Sequence, residues 1–165
     1  MNKIGIALLS LWLGAALFFS AVVAPAVFGV LRQFDIVNAG EIAGAIVNRS
    51  LAVVNLSGFL VGLLLLLMNL VQNKQRKAIF LFQTVSLLVV TATTALGHWV
   101  VAAKMHALRV AMDSAIDRVD ISDPRRIAFD QLHGYSVALL SAAMLAAILS
   151  IVLFMLRPRV TNPNL

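Results

Sequence analysis

The chain has 165 residues, of which 61% are hydrophobic and 12% charged, and a mean hydropathy of +0.97; these values exclude an ordinary soluble domain and make lipid its main solvent. With no cysteine, disulfides, thiolate metal sites and cysteine nucleophiles are excluded. The net charge of +6 does not point to nucleic acid, because the basic residues lie in short segments beside apolar runs, where orientation in a membrane accounts for them.

Residues 4–31 form the first apolar run, which is uncharged throughout. Small residues around Ala21 to Ala24 could mark a signal-peptide cleavage region, but the run exceeds a signal h-region and reads as a first span. Pro25 within it removes one backbone donor and crowds the preceding turn, which predicts an adjustment of helix shape rather than a functional hinge. Three further runs, 50–71, 78–103 and 132–156, are each long enough to cross a bilayer. In hydrocarbon every amide must be satisfied within its segment, and the runs lack the alternation of barrel strands, so they are expected to be helices. The fold class is therefore all-α: an integral membrane four-helix bundle forming a single domain over residues 1–165, with a helical hairpin extending beyond the outer side between spans three and four.

Lys3, then Lys74, Arg76 and Lys77, then Arg157 and Arg159 lie on one side without acids. The other side mixes Arg32 and Arg49 with Asp35 and Glu41, and sets Lys104, Arg109, Arg118, Arg125 and Arg126 against five aspartates. The positive-inside rule then puts both termini in the cytoplasm. The second helix can run unbroken from residue 39. The third is expected to continue as an amphipathic segment with Met105, Leu108, Met112, Ala115 and Val119 on one stripe and Arg109 pairing with Asp113. A break at Ile121-Ser122-Asp123-Pro124 starts the fourth, with Ser122 or Asp123 as cap.

Helical phase groups the polar and small residues. Glu41, Asn48, Asn55, Gly62 and Asn69 recur every seven residues, and Gly40-xxx-Gly44 and Gly58-xxx-Gly62 permit close helix approach. Thr84, Thr91, Thr94 and His98 share a line on the third span, Asp130, His133, Ser136, Ala143, Ala147 and Ser150 on the fourth, and Ser10, Gly14 and Ala21 are the first span's contribution. The candidate site gathers His98, His133, Asp130, Asn55 and Glu41, with Thr94 and Ser136, in or above the outer half of the bundle.

An ionisable side chain at membrane depth is a functional hypothesis by default. The plain alternative is a neutral histidine bonded to a neighbouring hydroxyl or carbonyl, with Asp130 orienting His133. The ligand roles are axial ligation of a tetrapyrrole such as haem or chlorophyll, or a metal site drawing on His98, His106, His133, Met105 or Met112, whose spacing matches no compact ligand motif. HExxH, a nucleophile elbow, a phosphate-binding glycine loop and paired carboxylates within one span are all absent, as are midplane charges of a transporter, so no enzyme activity is expected.

Trp12, Gly14, Phe18 and Phe19 leading to Ala24-Pro25 and Phe28, then Ala39-Gly40 with Gly44, then Phe129, Leu132-His133-Gly134 and Ser136, give the chain a resemblance to the transmembrane protein 205-like family of small four-helix membrane proteins. That family looks distantly similar to copper-resistance D type membrane proteins and to a haem-pathway oxidase that uses histidine in a four-helix bundle. The resemblance implies that His98 or His133 binds something, without identifying it. Two functions are expected to compete. The first is a non-catalytic accessory subunit of a respiratory or photosynthetic membrane complex, in contact with lipid, other subunits and a pigment. The second is a self-sufficient protein that binds haem, a quinone or a metal through His98 and His133.

Overall fold

A computed structural model describes residues 2–34, 36–71 and 77–156. Asp35, Lys74, Arg76, Arg157 and Arg159, which entered the charge count above, lie outside the described residues. The apolar runs all sit in helices, since an apolar segment in lipid can satisfy its amides only within itself. Among the described residues four helices are long and apolar enough to cross a membrane: α1 Lys3–Gln33, α2 Ala39–Val71, α3 Lys77–Met112 and α4 Pro124–Met155. The molecule is thus a multi-pass membrane protein whose apolar flanks face lipid. At 36 residues α3 measures about 54 Å, well beyond a hydrocarbon core of about 30 Å.

The helices form a closed ring of contacts: α2 packs on α1 and α3, and α4 packs on α3 and α1. One end carries the α1–α2 and α3–α4 connections and is called the loop end; the other is the terminal end. Because lipid is as apolar as the core, association rests on close fit. From α1, Leu9, Trp12, Ala16 and Phe19 turn inward to meet Val54, Leu65, Leu87, Val90, Leu140, Ala143, Ala147 and Phe154. Glycines make the fit: a β-carbon at Gly58 would stand 2.6 Å from the Trp12 ring, and one at Gly62 would stand 2.7 Å from Thr91 Oγ1. Trp12 Nε1 donates to the Val54 carbonyl at 2.9 Å, which pins the ring in that slot.

Ser10, Gly14 and Ala21 face outward, contrary to the expectation that they line the bundle. The close approaches are large side chains of one helix seated on glycines of the next, so α1 presents its bulky stripe inward and its small one to the surroundings. Pro25 is accommodated as a change of shape. A π turn at Phe19–Val23 precedes it, with Ala24 donating to the Phe19 carbonyl, so the widened turn takes up the proline.

A second π turn, Leu96–Val101, interrupts α3, which ends at Met112 because Asp113 adopts a left-handed conformation (φ 49°). The expected stripe through Ala115 and Val119 is therefore not helical beyond Met112; Ile116–Arg118 form a 3-10 turn instead. α4 begins after Asp123, whose Oδ1 accepts the Arg125 amide at 2.8 Å, with Pro124 in the first turn.

Candidate functional site

Heptad spacing in α2 and α3 produces two polar layers. Toward the terminal end, Asn69 Nδ2 donates to Thr84 Oγ1 at 2.9 Å. Seven residues along each helix, Gly62 meets Thr91, and about seven further, Asn55 meets Gly97, where a β-carbon would come 3.0 Å from Asn55 Nδ2. The layers stand about 21 Å apart, two heptads of helical rise. Most hydroxyls on α3 spend their proton on their own helix: Thr84, Ser86, Thr91, Thr93 and Thr94 donate to the carbonyls of Phe80, Phe82, Leu87, Val89 and Val90 at 2.7–2.8 Å. Thr94 is accordingly buried without reaching another helix.

The layer near the loop end holds a cavity of about 10 Å³ lined by Asn48, Asn55, Gly97, His98, Met105 and Ser136 together with Leu51, Ala52 and Ala102. The π turn brings Gly97 and His98 to it, and Gly97 gives the Asn55 carboxamide its place. His98 sits edge-to-face with Trp99, centroids 4.8 Å apart, and Trp99 meets Phe59 in the same way at 4.9 Å. The His98 Nδ1 is buried and has no hydrogen-bond partner in the protein. Gln83 and Ser150, fully buried, likewise carry unpartnered side-chain atoms.

Of the side chains expected to gather, His98, Asn55 and Ser136 do so. His133 does not line the cavity; it is exposed on α4, as is Asp130, which pairs with Arg126 Nε at 3.4 Å rather than with His133. The three-residue step from His133 to Ser136 turns α4 enough to put the serine inside and the histidine outside. Glu41 is not interior either. It pairs with Arg109, whose Nε lies 3.0 Å from Oε1, and accepts the Ile116 amide at 3.4 Å. Arg109 thus reaches across to α2 instead of pairing with Asp113, and its guanidinium lies 5.9 Å from the centre of the Phe129 ring.

The α3–α4 connection is tied down around this pair. Asp117 Oδ2 accepts the amides of Gly40 at 2.9 Å and Glu41 at 3.3 Å, placing a carboxylate at the positive end of α2. A β-carbon at Gly40 would overlap that carboxylate, so Gly40 serves this cap rather than a helix–helix contact. Arg125 Nη1 donates to the Ala111 carbonyl at 2.6 Å, and Arg126 Nη1 donates to that of Ile116. Hydrogen bonds from the Arg125 side chain and amide hold the Asp123 carboxyl down at about 2, and those from Ser122 lower that of Asp120.

Gly97 and Ala102 were not foreseen, because the π turn shifts the phase of α3 and nothing in the local sequence marks it; Met105, named with His98 as a possible metal ligand, does line the cavity. Asn48 was legible from its heptad position. Asp117 was one of five interchangeable aspartates. Among the described residues no group of three or more His, Asp or Glu side chains stands close enough to hold a metal ion.

The chain belongs to the family described as a domain of unknown function, DUF4149, whose model matches residues 7–114. The match covers α1, α2 and α3, the helices that carry Trp12, Gly58, Asn55 and His98. No curated protein and no solved structure gives a significant match.

Proposed function

We propose that this chain is a non-catalytic accessory subunit of a larger membrane complex, respiratory or photosynthetic in kind, held by close packing of helix α1 against a partner's helix. The observation that carries this reading is the outward face of α1. Ser10, Gly14, Ala21, Pro25 and Gly29 are all exposed, and a β-carbon at Gly14 or Gly29 would meet nothing within 4 Å. Small faces of this kind let helix backbones approach in lipid, where van der Waals contact drives association. The chain's own packing uses Gly5, Gly58, Gly62 and Gly97, and leaves this stripe over.

In this reading the membrane is a bacterial inner membrane, and the charge distribution supports cytoplasmic termini with the loop end and the α3–α4 hairpin on the far side. The likeness to the transmembrane protein 205-like proteins belongs to the same reading. Purification in mild detergent from native membranes is expected to bring down larger subunits. Gly14→Leu with Gly29→Leu should release them without lowering the unfolding temperature of the bundle, since both glycines are exposed and helical. A complex that assembles and works fully without this chain would end the proposal.

A second reading, a self-sufficient haem-, quinone- or metal-binding protein using His98 and His133, is favoured by the unpartnered His98 Nδ1. It predicts a coloured or metal-loaded protein whose signal disappears in the His98→Ala, His133→Ala double variant. An unchanged spectrum and metal content would refute it.

A further inference from the structure

We infer that the cavity between α2, α3 and α4 at the loop end is a specific site for a single water molecule, held by His98 Nδ1, the Asn55 carboxamide and the Ser136 hydroxyl. Three separate observations meet there. The volume is about 10 Å³, at the lower edge of the roughly 10–15 Å³ that one water needs by this measure. Each of three helices adds a polar side chain to a mostly apolar lining: Asn55 from α2, His98 from α3 and Ser136 from α4, with Asn55 4% and Ser136 7% exposed. The His98 Nδ1 is fully buried in the protein with no partner. A buried nitrogen left in that condition costs about 1–3 kcal/mol.

The neighbouring groups offer the complementary chemistry. A neutral imidazole nitrogen is either a donor or an acceptor, whereas an amide and a hydroxyl each provide both, so a water between them can satisfy Nδ1 in either tautomer. About three hydrogen bonds is the usual count for a buried water. At about 10 Å³ the cavity has room for one water and for nothing larger. Asn48 both lines the cavity and is exposed, which makes it the side on which the water would exchange. The bound water fixes the His98 tautomer and ring orientation and joins three helices through one molecule. It also accounts for a histidine and an asparagine at apolar depth without a metal or pigment.

The test is magnetic-resonance spectroscopy on the full chain, isotope-labelled and reconstituted in lipid bilayers. The expected result is magnetisation transfer from water to the His98 ring and the Asn55 side-chain amide. Ser136→Val, which fills the cavity and removes one partner, should abolish the transfer at His98 while leaving the helical content unchanged. His98→Phe, which keeps an aromatic ring beside Trp99, should abolish it at Asn55. The wild-type measurement decides the matter even if a variant does not fold. A direct hydrogen bond from Asn55 or Ser136 to Nδ1 with no water transfer would overturn the inference, as would a His98 shift reporting a bound metal.

Discussion

Replacing Gly58 with alanine tests how α1 and α2 are held together. The new β-carbon would lie 2.6 Å from Trp12 Nε1 and Cε2 and 2.8 Å from Cζ2, about 1 Å inside normal carbon contact. The indole cannot easily retreat, because it is 3% exposed and donates to the Val54 carbonyl at 2.9 Å. Moving it by about 1 Å breaks that bond, at about 0.5–1.5 kcal/mol, and overpacking adds about 1–3 kcal/mol. The better helix propensity of alanine offsets about 1 kcal/mol. The net expectation is destabilisation by about 1–3 kcal/mol. Unfolding in detergent, followed by tryptophan fluorescence, measures it. Gly134→Ala is the control: nothing lies within 4 Å of its β-carbon, so only the propensity gain of about 1 kcal/mol should appear. A Gly58→Ala protein as stable as the wild type, with the control behaving as stated, would refute the ring-on-glycine account of this contact.

Gln83→Met should raise the unfolding temperature by the equivalent of about 1–3 kcal/mol, since it removes two fully buried polar atoms that lack partners; a lowered temperature would show that Gln83 is satisfied. Arg109→Met should cost about 0.5–1 kcal/mol, a figure kept small because Glu41 is partly exposed, and should speed hydrogen exchange in the first turn of α2. Unchanged exchange there would count against the clamp. The Asp123 carboxyl is held at about 2 against an ordinary 3.8, so its stabilisation of the start of α4 is fully present above about pH 4 and lost as the pH falls toward 2. Exchange protection of the first α4 amides should follow that window, and Asp123→Asn should flatten the dependence.

Much of the architecture was legible in the chain because lipid imposes few choices. A long uncharged run must satisfy its amides internally, so the helices at 4–31, 50–71, 78–103 and 132–156 could be read from hydropathy alone, and Asp123-Pro124 announced the start of α4. The heptad stripe of α2 correctly singled out Asn55, Gly62 and Asn69 as interior. It failed at Glu41, which is drawn to Arg109, while Asn48 lines the cavity as its heptad position implies yet stays exposed. Helical phase placed His98 with Ser136 but also grouped His133 and Asp130 with them, because side chains three residues apart on a helix look equivalent until the neighbouring helix is in place.

The sequence by itself determined the solvent, the number and type of the elements, and where α4 begins. Tertiary structure decided which face of α1 turns inward, since the polar and small residues that mark the interior of α2 do not mark it there. Core and lipid are nearly equivalent to an aliphatic side chain, so hydrophobicity carries no signal for inside against outside; shape does. Trp12 fits the slot that Gly58 leaves, and that contact sets the rotation of α1 with Ser10, Gly14 and Ala21 facing away; between α2 and α3, Gly97 makes room for Asn55. The π turn in α3 belongs to the same class of decision, because it shifts helical phase by an amount that only packing against α2 and α4 fixes, and with it the position of His98.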